Sequence, residues 1–83
     1  MAMSDYMRAL RAKVGHQLVQ IPAVTVLTFD GSGRVLLVKH GDVGLWTTPG
    51  GAVDPLETPA NAAVREMWEE TGVHVELVGL LGV

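Results

Sequence analysis

Apolar positions recur in different rhythms along this chain of 83 residues, and each rhythm predicts an element. Between residues 5 and 14, Tyr6, Met7, Leu10 and Val14 fall on one side at helical spacing. A short amphipathic helix is expected there, with Gly15 ending it. Residues 17–21 read as a short strand. After Pro22, residues 23–29 are apolar and β-branched, and residues 34–39 repeat that character. Asp30, Gly31, Ser32 and Gly33 between them are turn formers, so residues 23–39 are expected to form a β-hairpin. A glycine-bearing loop follows at residues 40–44. Thr58 and Pro59 then open a second helix, a hydroxyl to cap free N–H groups followed by a proline at the first helical position. Gly72 can end it in the left-handed conformation. Residues 74–83 alternate at their start and read as one more strand.

The second helix carries the chemistry. At about 100° per residue, Glu66, Glu69 and Glu70 fall within one sector of roughly 100°. Ala60, Val64, Met67, Trp68 and Thr71 occupy the opposite side, so that side is expected to pack on a core, with Trp68 in it. Neighbouring like charges cost an isolated helix a few tenths of a kcal/mol per pair, and Arg65 is the only basic residue of the segment. Clusters of oxygen donors alone suit hard divalent cations such as Mg2+ or Mn2+. The competing reading is an acidic, solvent-facing helix. Arg65 precedes Glu69 by four residues and can pair with it along the helix. Pro49, Gly50 and Gly51 permit a tight turn with close approach of the backbone.

These pieces combine into Gly51-x5-Glu57-x7-Arg65-Glu66-Met67-x-Glu69-Glu70-x-Gly72-Val73, a loop–helix–loop over residues 51–73. The run resembles the signature of the Nudix hydrolases, the MutT-like enzymes, at every fixed position. The likeness extends over residues 23 to about 82, taking in the hairpin and the Trp46-x-x-Pro49-Gly50-Gly51 approach. It implies an α/β (α+β) fold, an α/β/α sandwich around a mixed sheet, in a single domain. It also implies a hydrolase that uses Mg2+ or Mn2+ to cleave the pyrophosphate linkage of a nucleoside diphosphate joined to another moiety. ADP-ribose, nucleoside triphosphates, dinucleoside polyphosphates and capped RNA ends are candidate substrates.

Carried over by position, Glu66, Glu69 and Glu70 with the Gly50 carbonyl are the expected metal ligands. Glu57 is a structural or outer ligand. Glu69 and Glu66 compete for the role of general base, and Arg65 orients a catalytic glutamate. Trp46 is a candidate to stack on a nucleobase or to anchor the loop. Lys39 is a candidate phosphate contact or an exposed strand-end lysine. His16, His40 and His74 have no second ligand at metal spacing and read as surface or core residues unless the fold brings one to the pocket. Loss of catalysis in a nucleotide-sensing module should erode the helix glutamates first, and all of them are present.

Composition narrows the picture. A hydrophobic content of 48% suits a folded domain, and no apolar stretch approaches the ~20 residues that span a bilayer. No membrane association and no signal peptide are expected. The chain has no cysteine, which excludes disulfides and thiolate zinc sites and fits a cytoplasmic location. A net charge of −3 argues against bulk electrostatic binding to nucleic acid. The Nudix likeness calls for further strands and a helix after residue 83. The expectation is therefore the N-terminal part of the fold, inactive by itself, or a homo-oligomer in which a second copy supplies the missing strands.

Overall fold

The structure is a computed structural model that describes residues 3–41 and 43–83; Asp42, within the glycine-bearing loop, lies outside them. Helix α1 spans Asp5–Val14. The Ser4 hydroxyl caps it by accepting from the Met7 N–H at 3.2 Å, and Gly15, at φ 62°, donates back to the Arg11 carbonyl at 2.8 Å. None of its residues is buried, and Met7, Leu10 and Val14 of its apolar side are half-buried.

Four short strands follow among the described residues: β1 Ala23–Thr25, β2 Val38–Lys39, β3 Trp46–Thr47 and β4 Gly50–Ala52. They form two antiparallel ribbons. In one, Ala23 faces Ala52, Val24 faces Gly51 and Thr25 faces Gly50. In the other, Val38 faces Thr47 and Lys39 faces Trp46. Beyond the first ribbon the ladder continues at both ends, with Val26 N donating to the Pro49 carbonyl at 2.8 Å and Val53 N to the Pro22 carbonyl at 2.9 Å.

The expected arms of residues 23–39 do meet across the Asp30–Gly33 turn. Leu36 N donates to the Thr28 carbonyl at 2.9 Å, and Phe29 and Val35 form an isolated bridge. The Asp30 carboxylate gathers the turn, accepting from Ser32 N at 2.8 Å and from Arg34 N and Nε at 3.0 and 2.6 Å. The strands themselves are much shorter than the apolar runs, because each arm also pairs elsewhere, β1 with β4 and β2 with β3. Two further strand expectations are corrected. Residues 17–21 and 74–83 are not strands; an extended apolar segment becomes a strand only when a neighbour pairs its N–H and C=O groups. The class is α+β as expected: among the described residues, two helices and two antiparallel sheets make up part of the expected fold.

Helix α2, Pro59–Thr71, packs across β1 and β4. The core is small: Val26, Ala63 and Met67, flanked by Val24, Leu36 and Val75. The buried side of α2 consists of Ala62, Ala63, Glu66 and Met67. This corrects the expected packing face. Ala60 and Trp68 are exposed, Trp68 by 51%. The two small alanines let the helix lie close to the ribbon, which turns Trp68 outward. Its ring stacks on that of His74, with centroids 4.2 Å apart and planes 8° from parallel.

Candidate functional site

Helix α2 begins where its sequence says it should. The Thr58 hydroxyl accepts from Asn61 N at 3.1 Å, Pro59 takes the first turn, and Gly72 closes the helix at φ 70°. This places Arg65 against Glu57 of the loop of residues 53–58, and Glu66 and Glu70 beside Gly51 and Gly50 of β4.

Arg65 is the organising group. A guanidinium carries five N–H donors, and the acceptors around this one match that number. Nε donates to Glu57 at 2.7 Å, and Nη2 donates to the same carboxylate at 2.9 Å and to the Ala52 carbonyl at 2.9 Å. Nη1 donates to Glu66 at 2.8 Å and to Glu69 at 3.2 Å. The expected pairing with Glu69 is thus one contact of five, and the shortest is to Glu57. The carboxylate of Asp54 lies 3.7 Å from Nη2, and its buried Oδ1 has no hydrogen-bond partner.

Charge states follow from these contacts. The Arg65 hydrogen bonds, helped by the Asp54 N–H, hold the Glu57 carboxyl down at about 2. Glu57 in turn holds the Arg65 proton more firmly than usual. Glu66 behaves oppositely. It is only 7% exposed, and burial raises its pKa; Arg65 opposes that shift, while Glu69 and Glu70 add to it.

Gly50 and Gly51 let the backbone close on this edge. A Cβ on Gly51 would stand 2.5 Å from the Glu66 carboxyl carbon, and one on Gly50 would strike the Val24 carbonyl in the neighbouring strand. Gly50 N donates to Glu70 at 2.9 Å. Leu56, just before Glu57, sits at φ 65° with its side chain fully exposed. The left-handed region costs a branched residue ~1–2 kcal/mol, and glycine there would give back ~0.5–1 kcal/mol through its freer unfolded chain. Leu56→Gly is therefore expected to stabilise the protein by ~0.5–1 kcal/mol, read as a raised urea midpoint. A lowered midpoint would contradict the strain assigned to this loop.

A cleft of about 320 Å³ opens beside the edge, lined by Val24 and Thr25 of β1, Thr47, Gly50 and Gly51, with Glu70 and His40 among its walls. Of the residues singled out from sequence, Gly50 and Glu70 line this cleft. Glu66 is turned toward Gly51 and Arg65. Glu69, its side chain 54% exposed, stands on Arg65 and in solvent. Trp46 and Lys39 are brought together, the ammonium 6.0 Å from the ring centroid, but neither lines the cleft. Alternation along the ribbon explains this: their strand neighbours Thr47 and His40 line it instead. Among the described residues no three acid or imidazole side chains stand close enough together to hold a metal ion. Glu66 and Glu69 share the Nη1 of Arg65, while Glu70 is bonded to Gly50 N.

Sequence reading missed His40 as a wall of the cleft and the Ala52 carbonyl as an anchor of Arg65. No spacing signal could have found either, since ribbon pairing and tertiary packing bring them in.

The family model described as NUDIX domain matches residues 19–83. The chain is 50% identical over 58 residues to a Bacillus subtilis (strain 168) protein named "Putative 8-oxo-dGTP diphosphatase", covering 70% of this chain and 39% of that protein. It is 47% identical over 51 residues to a MutT-like protein of Streptomyces ambofaciens, covering 61% and 33% of the two chains. It is 45% identical over 58 residues to an RNA pyrophosphohydrolase of Roseobacter denitrificans (strain ATCC 33942 / OCh 114), covering 68% and 36%. The chain thus spans between 33% and 39% of the length of these relatives.

Proposed function

We propose that this chain, which belongs to the Nudix family by its match over residues 19–83, carries the metal-binding and water-activating part of a hydrolase. Its substrate would be a nucleoside diphosphate linked to another moiety. The observation that carries this reading is the Arg65 clamp, which fixes Glu57, Glu66 and Glu69 around one guanidinium beside the cleft that holds Glu70. A solvated acidic helix would not gather five acceptors on one guanidinium beside a buried glutamate. The names of the relatives, "Putative 8-oxo-dGTP diphosphatase" and "RNA pyrophosphohydrolase", support a phosphoanhydride as the bond that is cut.

The donor chemistry fits Mg2+ or Mn2+: carboxylates and a backbone carbonyl, all hard oxygen. Burial of Glu66 among like charges favours its protonated form, a cost that a cation beside it would relieve. Glu66 and Glu70, with the Gly50 carbonyl, would hold the ion, and Glu69 would complete the set or face the water. When bound, the ion would polarise a phosphate oxygen and acidify a water molecule. The chain's own part is to position and to take up a proton. Arg65 keeps Glu66 and Glu69 oriented, and Glu57 serves as the structural partner of Arg65. Glu69, the most exposed of the three carboxylates of the helix, accepts the proton from the attacking water. The water oxygen bonds to phosphorus, the bridging P–O bond breaks, and its electron pair leaves with the departing phosphate or nucleotide.

Titration with Mn2+ tests the metal reading. Paramagnetic broadening of amide resonances around Gly50, Glu66 and Glu70 is expected in the wild-type protein and should be lost in a Glu69→Gln, Glu70→Gln double variant. Equal broadening in both proteins would sink the proposal.

A further inference from the structure

We propose that His40 is a ligand-binding residue of the cleft, donating an imidazole N–H to a phosphate oxygen of the bound diphosphate; this rests on the diphosphate reading above. Among the described residues that line the cleft, His40 carries the basic side chain and Glu70 the acidic one, with threonines and glycine backbone between them. The volume of about 320 Å³ is at the small end of ligand pockets and suits a group the size of a diphosphate.

Both poles are held in place by backbone bonds. His40 N donates to the Leu45 carbonyl at 2.9 Å, and the His40 carbonyl accepts from Gly44 N at 2.7 Å. Gly44 takes φ 68° to close that turn. The half-buried imidazole therefore starts from a fixed Cα, following β2 at the mouth of the second ribbon. Glu70 is fixed by Gly50 N at 2.9 Å. A dianionic or trianionic ligand whose charge is offset by cation chemistry at the glutamate pole still presents oxygens toward the other wall. His40 is the side chain there that can meet them with a charge-assisted hydrogen bond. Lys39, next in the chain, is turned to the Trp46 ring and leaves this role to its neighbour.

The probe is methylenediphosphonate, a diphosphate that cannot be hydrolysed at the bridge, added with Mg2+ to the protein. The His40 ring resonances are expected to shift on addition, while those of His16, outside the cleft, stay in place. His40→Ala is expected to weaken binding of the probe by about tenfold to hundredfold, the range for losing a hydrogen bond to a charged group. His40→Gln or His40→Asn, which place an amide N–H near one or other ring nitrogen, should recover part of that loss. Unaltered binding in His40→Ala, with no shift of the wild-type ring, overturns the assignment and leaves the diphosphate site standing. A ring that shifts with adenosine but not with methylenediphosphonate overturns it as well. Absence of probe binding to the wild-type protein overturns both this inference and the reading on which it rests.

Discussion

In the complete enzyme proposed above, Glu69→Gln is expected to slow turnover by ~10²–10⁴-fold, the range for removing a positioned general base. The substitution keeps the shape of the side chain and one oxygen for Arg65, so the 3.2 Å contact to Nη1 can persist. What it removes is the negative charge and the proton acceptor on the carboxylate that solvent reaches most freely. Glu66→Gln is the control that separates the two candidates. Glu66 is buried and bonded to Arg65 at 2.8 Å, so its neutralisation should weaken Mg2+ or Mn2+ retention more than it alters a proton transfer. Raising the metal concentration should then restore rate in Glu66→Gln and not in Glu69→Gln. Wild-type rates in both variants would place the active site elsewhere.

The second large effect concerns the fold. Arg65→Ala strands a buried Glu66 and a Glu57 whose ionised form was held by the guanidinium. Removing one partner of a buried pair typically costs 3–5 kcal/mol. A smaller loss, about 1–3 kcal/mol, is expected here because the Arg65 side chain keeps 26% of its exposure and, of its carboxylate partners, Glu66 alone is buried. Arg65→Lys should recover little, since an ammonium cannot reproduce five planar donors. Urea midpoints measure both variants.

The pH dependence supplies the signature of the lost pair. The folded Glu57 carboxyl titrates at about 2 against an ordinary 4.5. Its depressed value means that the pair adds stability above about 4.5 and loses it as pH falls toward about 2. Arg65→Ala should flatten that acid limb. If the steepness between these values were unchanged, Glu57 would not be the partner that matters.

Local chemistry made some of this legible in sequence and tertiary packing withheld the rest. The Thr58–Pro59 start and Gly72 stop of α2 could be read because capping depends on the residue and its immediate neighbours. The turn around Asp30 was legible for the same reason. Trp68 was not, because helical spacing put it on the side opposite the glutamates, which was expected to face the core. The choice was made instead by how closely Ala62 and Ala63 allow the helix to approach β1 and β4. The glutamate sector likewise overlaps the packed face, so Glu66 is a core neighbour as well as an acid. Arg65 was recognised through its spacing to Glu69, yet its strongest partner is eight residues away in a loop. His40 had no partner in sequence at all; ribbon geometry put it in the cleft.

The adjacent glycines differ in what holds each of them, and this sets how each could ever change in a lineage. Any side chain at position 50 meets main-chain atoms of Val24 and Thr25, and no exchange elsewhere moves those out of the way. At position 51 the obstacle is a carboxyl group at the end of the Glu66 side chain. A residue with a shorter reach at position 66 would open the space that Ala at 51 requires, though it would give up the acid's hold on Arg65. Position 50 can therefore drift only if the ribbon itself is rebuilt. Position 51 is tied to the chemistry of position 66, so the two would be released together, in a descendant that had already stopped using that glutamate.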